Sequence, residues 1–127
     1  MSLNKSRPLD PDRVLHMVEA AQWLTEQTAG LTLANLLADK TLQLAVERQF
    51  EILGEAASHV SAATQQQQPA IDWRRIKDFR NLIAHEYFRV DYAQLLYTGQ
   101  HIVPVLLPLL ESLLADLDQQ FGPDASV

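Results

Sequence analysis

The stretch LQLAVERQFEILGEAASHV, residues 42–60, decides the fold class. Its apolar residues recur at steps of three and four, the spacing that places side chains on one face of an α-helix. The residues of this stripe are Leu42, Val46, Phe50, Leu53, Ala57 and Val60. We predict one long helix from Asp39, its N-cap, to about Ala63. Gly54 marks a close helix–helix contact, because glycine inside a helix otherwise costs about 1 kcal/mol.

The sequence before and after this helix indicates further helices, and no alternating strand pattern occurs. A first helix is predicted to begin with Asp10 as N-cap and Pro11 at the first helical position, and to stop at Gly30. Thr32 caps a short helical turn. Residues 65–69 (QQQQP) are predicted to form an exposed loop.

Two more helices complete the chain. Asp72 caps a third helix that begins at Trp73 and continues through residues 80–87. Asp91 caps a last helix from Tyr92 to about Gln120, which Gly99, Pro104 and Pro108 should bend or break. The apolar positions of these two helices are Ile76, Phe79, Ile83, Leu106, Leu109, Leu110, Leu113, Leu114 and Leu117. We predict an all-α fold, a four- or five-helix up-and-down bundle.

Composition limits the class of protein. At 127 residues with 47% hydrophobic residues, the chain is long enough to bury one core, so we predict a single domain over residues 1–127 with its core at about 10–120. The absence of cysteine excludes disulfides, thiolate metal sites and a cysteine nucleophile. The N-terminus has no apolar stretch of signal-peptide length, and residues 102–110 (IVPVLLPLL) are too short to span a bilayer. We therefore predict a cytoplasmic protein without a membrane segment.

Positive charge is concentrated in one part of an acidic chain. The net charge of −6 argues against broad electrostatic wrapping of nucleic acid. Half of the ten lysines and arginines nevertheless lie between residues 74 and 89, namely Arg74, Arg75, Lys77, Arg80 and Arg89. A patch of this kind can hold a few phosphates, and a solvated helix face is an equally good interpretation.

The patch contains RNLIAHEY, residues 80–87. On an α-helix, Arg80, Asn81, His85 and Tyr87 would face one side and present a guanidinium, an amide, an imidazole and a phenol. Those are the groups needed to cleave RNA without a metal, with Arg80 and His85 as catalytic residues. The alternative is that Asn81 and His85 hydrogen-bond within the bundle while Arg80 pairs with a neighbouring carboxylate. Composition alone favours this alternative, and spacing alone does not decide between the two.

Other candidate sites are weaker. His16, His59 and His101 are isolated in their helices and are interpreted as structural. Glu47, Glu51 and Glu55 resemble one half of a di-metal site, but a matching Glu/His helix is missing. No metal and no cofactor are predicted. RNA cleavage requires both an acid and a base, which one His85 cannot supply, and a two-fold dimer would bring two copies together.

The motif Arg80-Asn81, three residues, His85, one residue, Tyr87 resembles the R-N-x-x-x-H-x-Y signature of HEPN-domain proteins, and most closely that of the HepT-like toxins of HepT–MntA toxin–antitoxin systems. The likeness extends to AVERQFEILGEAASHV (residues 45–60) and DWRRIKDFRN (residues 72–81). It continues through HEYFRVDYAQLL (residues 85–96) and the proline-containing last helix. It covers about residues 10–118.

This resemblance implies a HEPN bundle that forms a two-fold homodimer and acts as a metal-independent endoribonuclease. Arg80 and His85 of both subunits would line the cleft, and Asn81 would position the motif or the phosphate. It also implies a partner, a minimal nucleotidyltransferase antitoxin that silences the toxin by transferring AMP to Tyr87. Two alternatives stay open: a non-catalytic binding partner or regulatory subunit of that nucleotidyltransferase, and a structural helical dimer without a reactive site.

Overall fold

The computed structural model describes residues 9–83 and 90–122. Within these ranges the chain forms helices and turns and no strand. The elements are α1 (Asp10–Thr28), α2 (Leu33–Leu37), α3 (Lys40–Ser58), α4 (Ala62–Gln67), α5 (Trp73–Asp78), a 3-10 turn (Phe79–Leu82), α6 (Tyr92–Tyr97), a π-turn (Thr98–Ile102) and α7 (Val103–Phe121). The predicted all-α fold is confirmed.

Helix α1 lies between its two main partners, α3 and α7. Its first residue, Asp10, hydrogen-bonds to Ser61 just beyond the end of α3, so these two helices run antiparallel. Its last residue, Thr28, contacts Gly99 in the π-turn that precedes α7, so α1 and α7 also run antiparallel. This is the up-and-down arrangement that the short connections predict.

The core consists of the apolar stripes predicted from sequence. Val46, Phe50 and Leu53 of α3 are fully buried, and Leu106, Leu110, Leu113 and Leu117 of α7 are buried or nearly so. Val14, Met17, Ala21 and Leu24 of α1 close the core between them. Leu42, Leu109 and Leu114, at the margins of the predicted stripes, are partly buried against this cluster.

Four predicted helix starts are confirmed by their capping hydrogen bonds. The side chains of Thr32, Asp39, Asp72 and Asp91 each accept a hydrogen bond from the backbone N–H three residues later, at 3.0 to 3.1 Å. These bonds satisfy N–H groups that the first helical turn leaves without an intrahelical partner. The predicted stop is also confirmed, since Gly30 follows α1 with a φ of +72° that favours glycine.

The prediction that Asp10 caps α1 is wrong. The helix begins at Asp10 itself, Leu9 is the N-cap residue, and no side chain caps it. The Asp10 carboxylate instead accepts hydrogen bonds from the Ser61 backbone N–H, the Ser61 hydroxyl and the Thr64 hydroxyl, at 3.1, 2.5 and 2.6 Å. Burial alone would raise its pKa, but these hydrogen bonds outweigh burial and lower it. A tertiary contact across 51 residues of chain thus replaces the local cap.

The same contact explains two further corrections. The long helix α3 ends at Ser58 and not near Ala63, because Ser61 starts a new helix by accepting a hydrogen bond from the Thr64 N–H at 3.3 Å. Residues 65–67, predicted to be loop, belong to that helix, α4. Glutamine is a good helix former, and polar composition does not by itself exclude a helix.

Helices α6 and α7 form one continuous rod through the π-turn, in which the Val103 N–H bonds to the Thr98 carbonyl five residues earlier. This confirms the predicted irregularity near Gly99 and Pro104, whereas the helix is not broken at Pro108, which lies inside α7. The rod, Tyr92–Phe121, is long and apolar enough to cross a membrane by length and composition alone. Its leucine stripe is buried against α1, which is how the core helix of a bundle acquires that composition.

Candidate active site

Helix α5 anchors the basic patch by its inner face. Trp73, Ile76 and Phe79 are buried, and the Trp73 indole N–H donates to the Gln68 carbonyl at 3.2 Å. The Phe79 ring meets Phe50 of α3 edge to face, with centroids 5.5 Å apart. With the inner face fixed in this way, Arg74 and Arg75 are exposed and Lys77 is half-buried.

The predicted α-helix does not continue into the motif. Helix α5 ends at Asp78, and the 3-10 turn Phe79–Leu82 carries Arg80 and Asn81, both exposed. The Ile83 N–H closes this turn on the Arg80 carbonyl at 3.2 Å. The prediction that the polar residues of the motif face one side assumed α-helical spacing. A 3-10 turn has three residues per turn, so that spacing does not apply to Arg80 and Asn81.

Arg80 lies directly on the glycine of the long helix. A Cβ added at Gly54 would be 2.6 Å from Arg80 Cγ and 3.2 Å from both Arg80 Cδ and the Arg80 backbone nitrogen. This is the close contact that Gly54 predicts. The aliphatic part of Arg80 is therefore seated against α3, and its position is set by packing.

The four described cations of the patch form no ion pair with a described carboxylate. Among the described residues, no ion pair involves Arg74, Arg75, Lys77 or Arg80, although Asp78 lies in the same segment. Arg48, by contrast, pairs with Glu51 at 3.0 Å on α3. These cations can therefore offer their charges to an anion, as the first of the two interpretations of the patch requires.

His85 and Tyr87, the predicted catalytic and modified residues, lie outside the described residues, as does Arg89. The residues that precede and follow this segment, Ile83 and Val90, are both partly buried against the core. Of the two predicted catalytic residues, the structure therefore describes Arg80.

A carboxylate–phenol pair lies on the same face of α3 as Gly54. Glu47, seven residues before Gly54, accepts a short hydrogen bond from the Tyr92 hydroxyl at the start of α6. Burial, then this hydrogen bond and the charge of Glu47, raise the pKa of Tyr92 to about 12. Seven residues are two helical turns, so the two contacts lie about 10 Å apart along α3. Sequence reasoning considered Glu47 as part of an incomplete di-metal site and missed this link.

The histidines outside the motif do not form a metal site. His16 and His59, which are distant in sequence, line one cleft of about 220 Å³ between α1 and α3, together with Arg13, Arg48 and Glu55. No group of three His, Asp or Glu side chains in the part of the chain that the structure describes could hold a metal ion. The cleft is separate from Arg80, which packs on the Gly54 side of α3.

Residues 17–113 match the family model described as ribonuclease HepT-like. The chain belongs to the HepT-like ribonuclease family. A probable ribonuclease HepT of Thermococcus cleftensis is 32% identical over 102 residues, covering 80% of this HepT-like chain and 93% of that protein. A protein of Methanocaldococcus jannaschii, provisionally named as an RNase, is 28% identical over 88 residues, 69% of this chain and 81% of its own.

A relative from Caldanaerobacter subterraneus, also provisionally named as an RNase, is 29% identical over 77 residues, 61% of this chain and 69% of its own. No solved structure matches the chain with significance. The family predicted from residues 80–87 and the surrounding helices is confirmed. Membership in this ribonuclease family supports the predicted enzyme class, an RNA endonuclease.

Proposed function

We propose that this HepT-like chain is a metal-independent endoribonuclease whose catalytic residues are Arg80 and His85. The observation that carries the proposal is the seating of Arg80 against Gly54, next to the exposed Arg74 and Arg75, in a chain of the HepT-like ribonuclease family. A cation held by packing beside other unneutralised cations suits a scissile phosphate. Asn81, Arg74, Arg75 and Lys77 position the RNA.

The reaction needs one base, one acid and one cation. A histidine removes the proton of a ribose 2′-hydroxyl, and the resulting oxygen attacks the adjacent phosphorus. The bond to the 5′-oxygen breaks, a second histidine protonates that leaving group, and a 2′,3′-cyclic phosphate remains. Arg80 stabilises the added negative charge on the phosphorane, while general acid–base assistance contributes about 10²–10⁴-fold.

Two histidines imply two chains. Each chain supplies one His85, so we infer a two-fold homodimer that faces two copies of the motif across one cleft. We further propose that the protein is cytoplasmic and works as the toxin of a toxin–antitoxin pair. A minimal nucleotidyltransferase antitoxin would silence it by transferring AMP to Tyr87. The added phosphate would occupy Arg80, and the nucleotide would obstruct RNA entry.

Cleavage of single-stranded RNA by the purified protein in EDTA tests the nuclease proposal. We expect Arg80→Ala and His85→Ala each to lower the rate by at least about 100-fold. Arg48→Ala is the matched control, since it also removes an exposed arginine, one that pairs with Glu51 away from the motif. Parental rates in the Arg80 and His85 variants, with folded protein, would show that the proposed site is wrong.

The silencing step has its own measurement. Incubation with the nucleotidyltransferase and ATP should add the mass of AMP to the parent chain and none to Tyr87→Phe, and the modified protein should lose RNA cleavage. A mass gain that persists in Tyr87→Phe would show that another residue is modified. Transfer to Tyr87 without any cleavage by the unmodified protein would favour a regulatory subunit.

A further inference from the structure

A narrow cleft lies on the other flank of the 3-10 turn that carries Arg80. It has a volume of about 160 Å³ and is lined by Arg75, Asp78, Phe79, Leu82, Gln94 and Thr98. Phe79, which lines this cleft, and Arg80, which contacts α3, are consecutive residues. An RNA phosphate at Arg80 would therefore place a neighbouring base close to the cleft.

The size and lining of the cleft suit one flat ring system. Ligand pockets typically measure about 300–1,000 Å³, so this cleft is too small for a whole nucleotide. Phe79 and Leu82 give it an apolar floor, and both pack in the core cluster. The Thr98 hydroxyl donates its only proton to the Gln94 carbonyl at 2.8 Å. The side chains of Arg75 and Gln94 are therefore the hydrogen-bond donors available to a ligand, and Asp78 is the charged acceptor.

An exposed aromatic pair lies on the helix that forms one wall of the cleft. Tyr97 is 58% exposed, and its ring lies 4.7 Å from that of His101, with an angle of 42° between the ring planes. Tyr97 follows Gln94 by three residues and His101 follows Thr98 by three, so each aromatic residue neighbours a cleft residue on the helix surface. Exposed aromatic rings beside cations are the usual platform for unpaired bases.

We propose that this cleft, with Tyr97 and His101 at its edge, is a nucleobase subsite for single-stranded RNA that prefers guanine. Arg75 donates to guanine O6 and N7, the pairing that arginine makes most often with a base. The Asp78 carboxylate accepts from the N1–H and N2–H groups on the opposite edge. The Tyr97–His101 pair stacks the next base along the strand.

The biological substrate of the subsite is RNA only in a ribonuclease, so this inference rests on the proposed function. RNA binding at the subsite can nevertheless be measured without cleavage. The probes are four short single-stranded RNAs, identical except for one central G, A, C or U, with 2′-O-methyl groups that remove the attacking hydroxyl. We expect the guanine probe to bind most tightly. Tyr97→Ala should weaken all four by about ten-fold, because stacking is lost, whereas Tyr97→Phe should bind like the parent.

Asp78→Asn should remove most of the guanine preference, about ten-fold, without weakening the other three probes. Leu44→Ala is the control, because Leu44 is also a large exposed residue, 55% accessible, and is far from the cleft in sequence and absent from its lining. The subsite proposal would be wrong if the parent bound the four probes with equal affinity and Tyr97→Ala bound them as tightly as Leu44→Ala does.

Cleavage of the same four sequences without methyl groups separates this inference from the nuclease proposal. If the parent cuts RNA in an Arg80-dependent way while Tyr97 and Asp78 do not affect binding, the subsite is wrong and the nuclease stands. If Tyr97 and Asp78 control binding but the protein cuts none of the four, the subsite stands and the nuclease proposal fails.

Discussion

At the scale of single residues, the contact between Gly54 and Arg80 connects helix α3 to the proposed active site. The glycine lies in the middle of α3, where alanine would be favoured by about 1 kcal/mol in a helix without neighbours. The Arg80 side chain occupies the space that this alanine would need, with Cγ at 2.6 Å. Helix propensity is therefore given up at this position to seat the side chain of Arg80, the proposed catalytic cation.

We predict that Gly54→Ala lowers both stability and RNA cleavage. Overpacking costs about 1–3 kcal/mol and the gain in helix propensity returns about 1 kcal/mol, so the net loss in the free energy of unfolding is at most about 2 kcal/mol. In an Arg80→Ala background the Cγ atom is gone, and Gly54→Ala should become neutral or slightly stabilising. Urea denaturation of the two single variants and the double variant measures this coupling.

Arg74→Ala is the matched background for that cycle. It removes a neighbouring arginine that does not appear among the atoms closest to Gly54. Gly54→Ala should therefore destabilise the Arg74→Ala protein as much as the parent. An equal loss in the Arg80→Ala background as well would show that the clash involves the backbone of the 3-10 turn and not the arginine side chain.

At the scale of elements, the link between α3 and α6 fixes where the chain resumes after residues 84–89. Asp91 caps α6 by accepting from the Gln94 N–H at 3.1 Å. The next residue, Tyr92, then donates its hydroxyl to Glu47 of α3. The hydrogen bond to Asp91 sets where α6 begins, and the hydrogen bond from Tyr92 to Glu47 sets the distance between α6 and α3.

We predict that Tyr92→Phe lowers the free energy of unfolding by about 1 kcal/mol at neutral pH, because a partly exposed hydrogen bond to a charged group is lost. The effect should depend on pH. The folded-state pKa of about 12 exceeds the ordinary value of 10.0. The stabilisation is therefore complete below pH 10 and is lost as pH rises from about 10 towards 12.

Denaturation midpoints at pH 8 and pH 11 check this sign. The denaturation midpoint of the parent should be higher than that of Tyr92→Phe at pH 8, and the difference between the two midpoints should be smaller at pH 11. Tyr97→Phe serves as the control, because Tyr97 is 58% exposed and its midpoint should stay near that of the parent. A difference between parent and Tyr92→Phe that grows with pH would contradict the assigned hydrogen bond.

The elements also show what sequence reasoning can and cannot reach. Apolar spacing and capping residues predicted α3 and the starts of α5 and α6, because those signals are local. The end of α3 and the role of Asp10 were missed, since both depend on the Asp10–Ser61 contact between residues 51 positions apart. The 3-10 turn was missed for a related reason: Phe79 is held by Phe50 of another helix.

The candidate site divides in the same way. Arg80 and the basic patch were evident from residue type, and Gly54 signalled a close contact without naming its partner. The Glu47–Tyr92 pair and the cleft near Tyr97 bring together residues from different helices, and no single stretch of sequence encodes them. His85 and Tyr87 keep their roles as proposals from the motif.

At the scale of the whole molecule, a chain of net charge −6 must bind a polyanion through a small basic area. Binding of single-stranded RNA weakens with salt, and the slope of log K against log salt is about −0.7 for each phosphate contacted. The acidic remainder of the surface contributes no such contacts. The slope therefore reports the number of cations that contact RNA. In a two-fold dimer each of these cations is present twice and would contribute twice to the slope.

We predict that Arg74→Ala makes the salt slope shallower by about 1.4 for a single-stranded 2′-O-methyl RNA long enough to reach both subunits. That is twice the value for one cation, because the variant removes one arginine from each of two clusters. Arg48→Ala should leave the slope unchanged, since Arg48 pairs with Glu51 outside the patch. Fluorescence anisotropy titrations over a range of salt concentrations provide the slopes. A change of only about 0.7 would mean that one RNA strand contacts a single cluster, and the composite site made from two chains would then have to be abandoned.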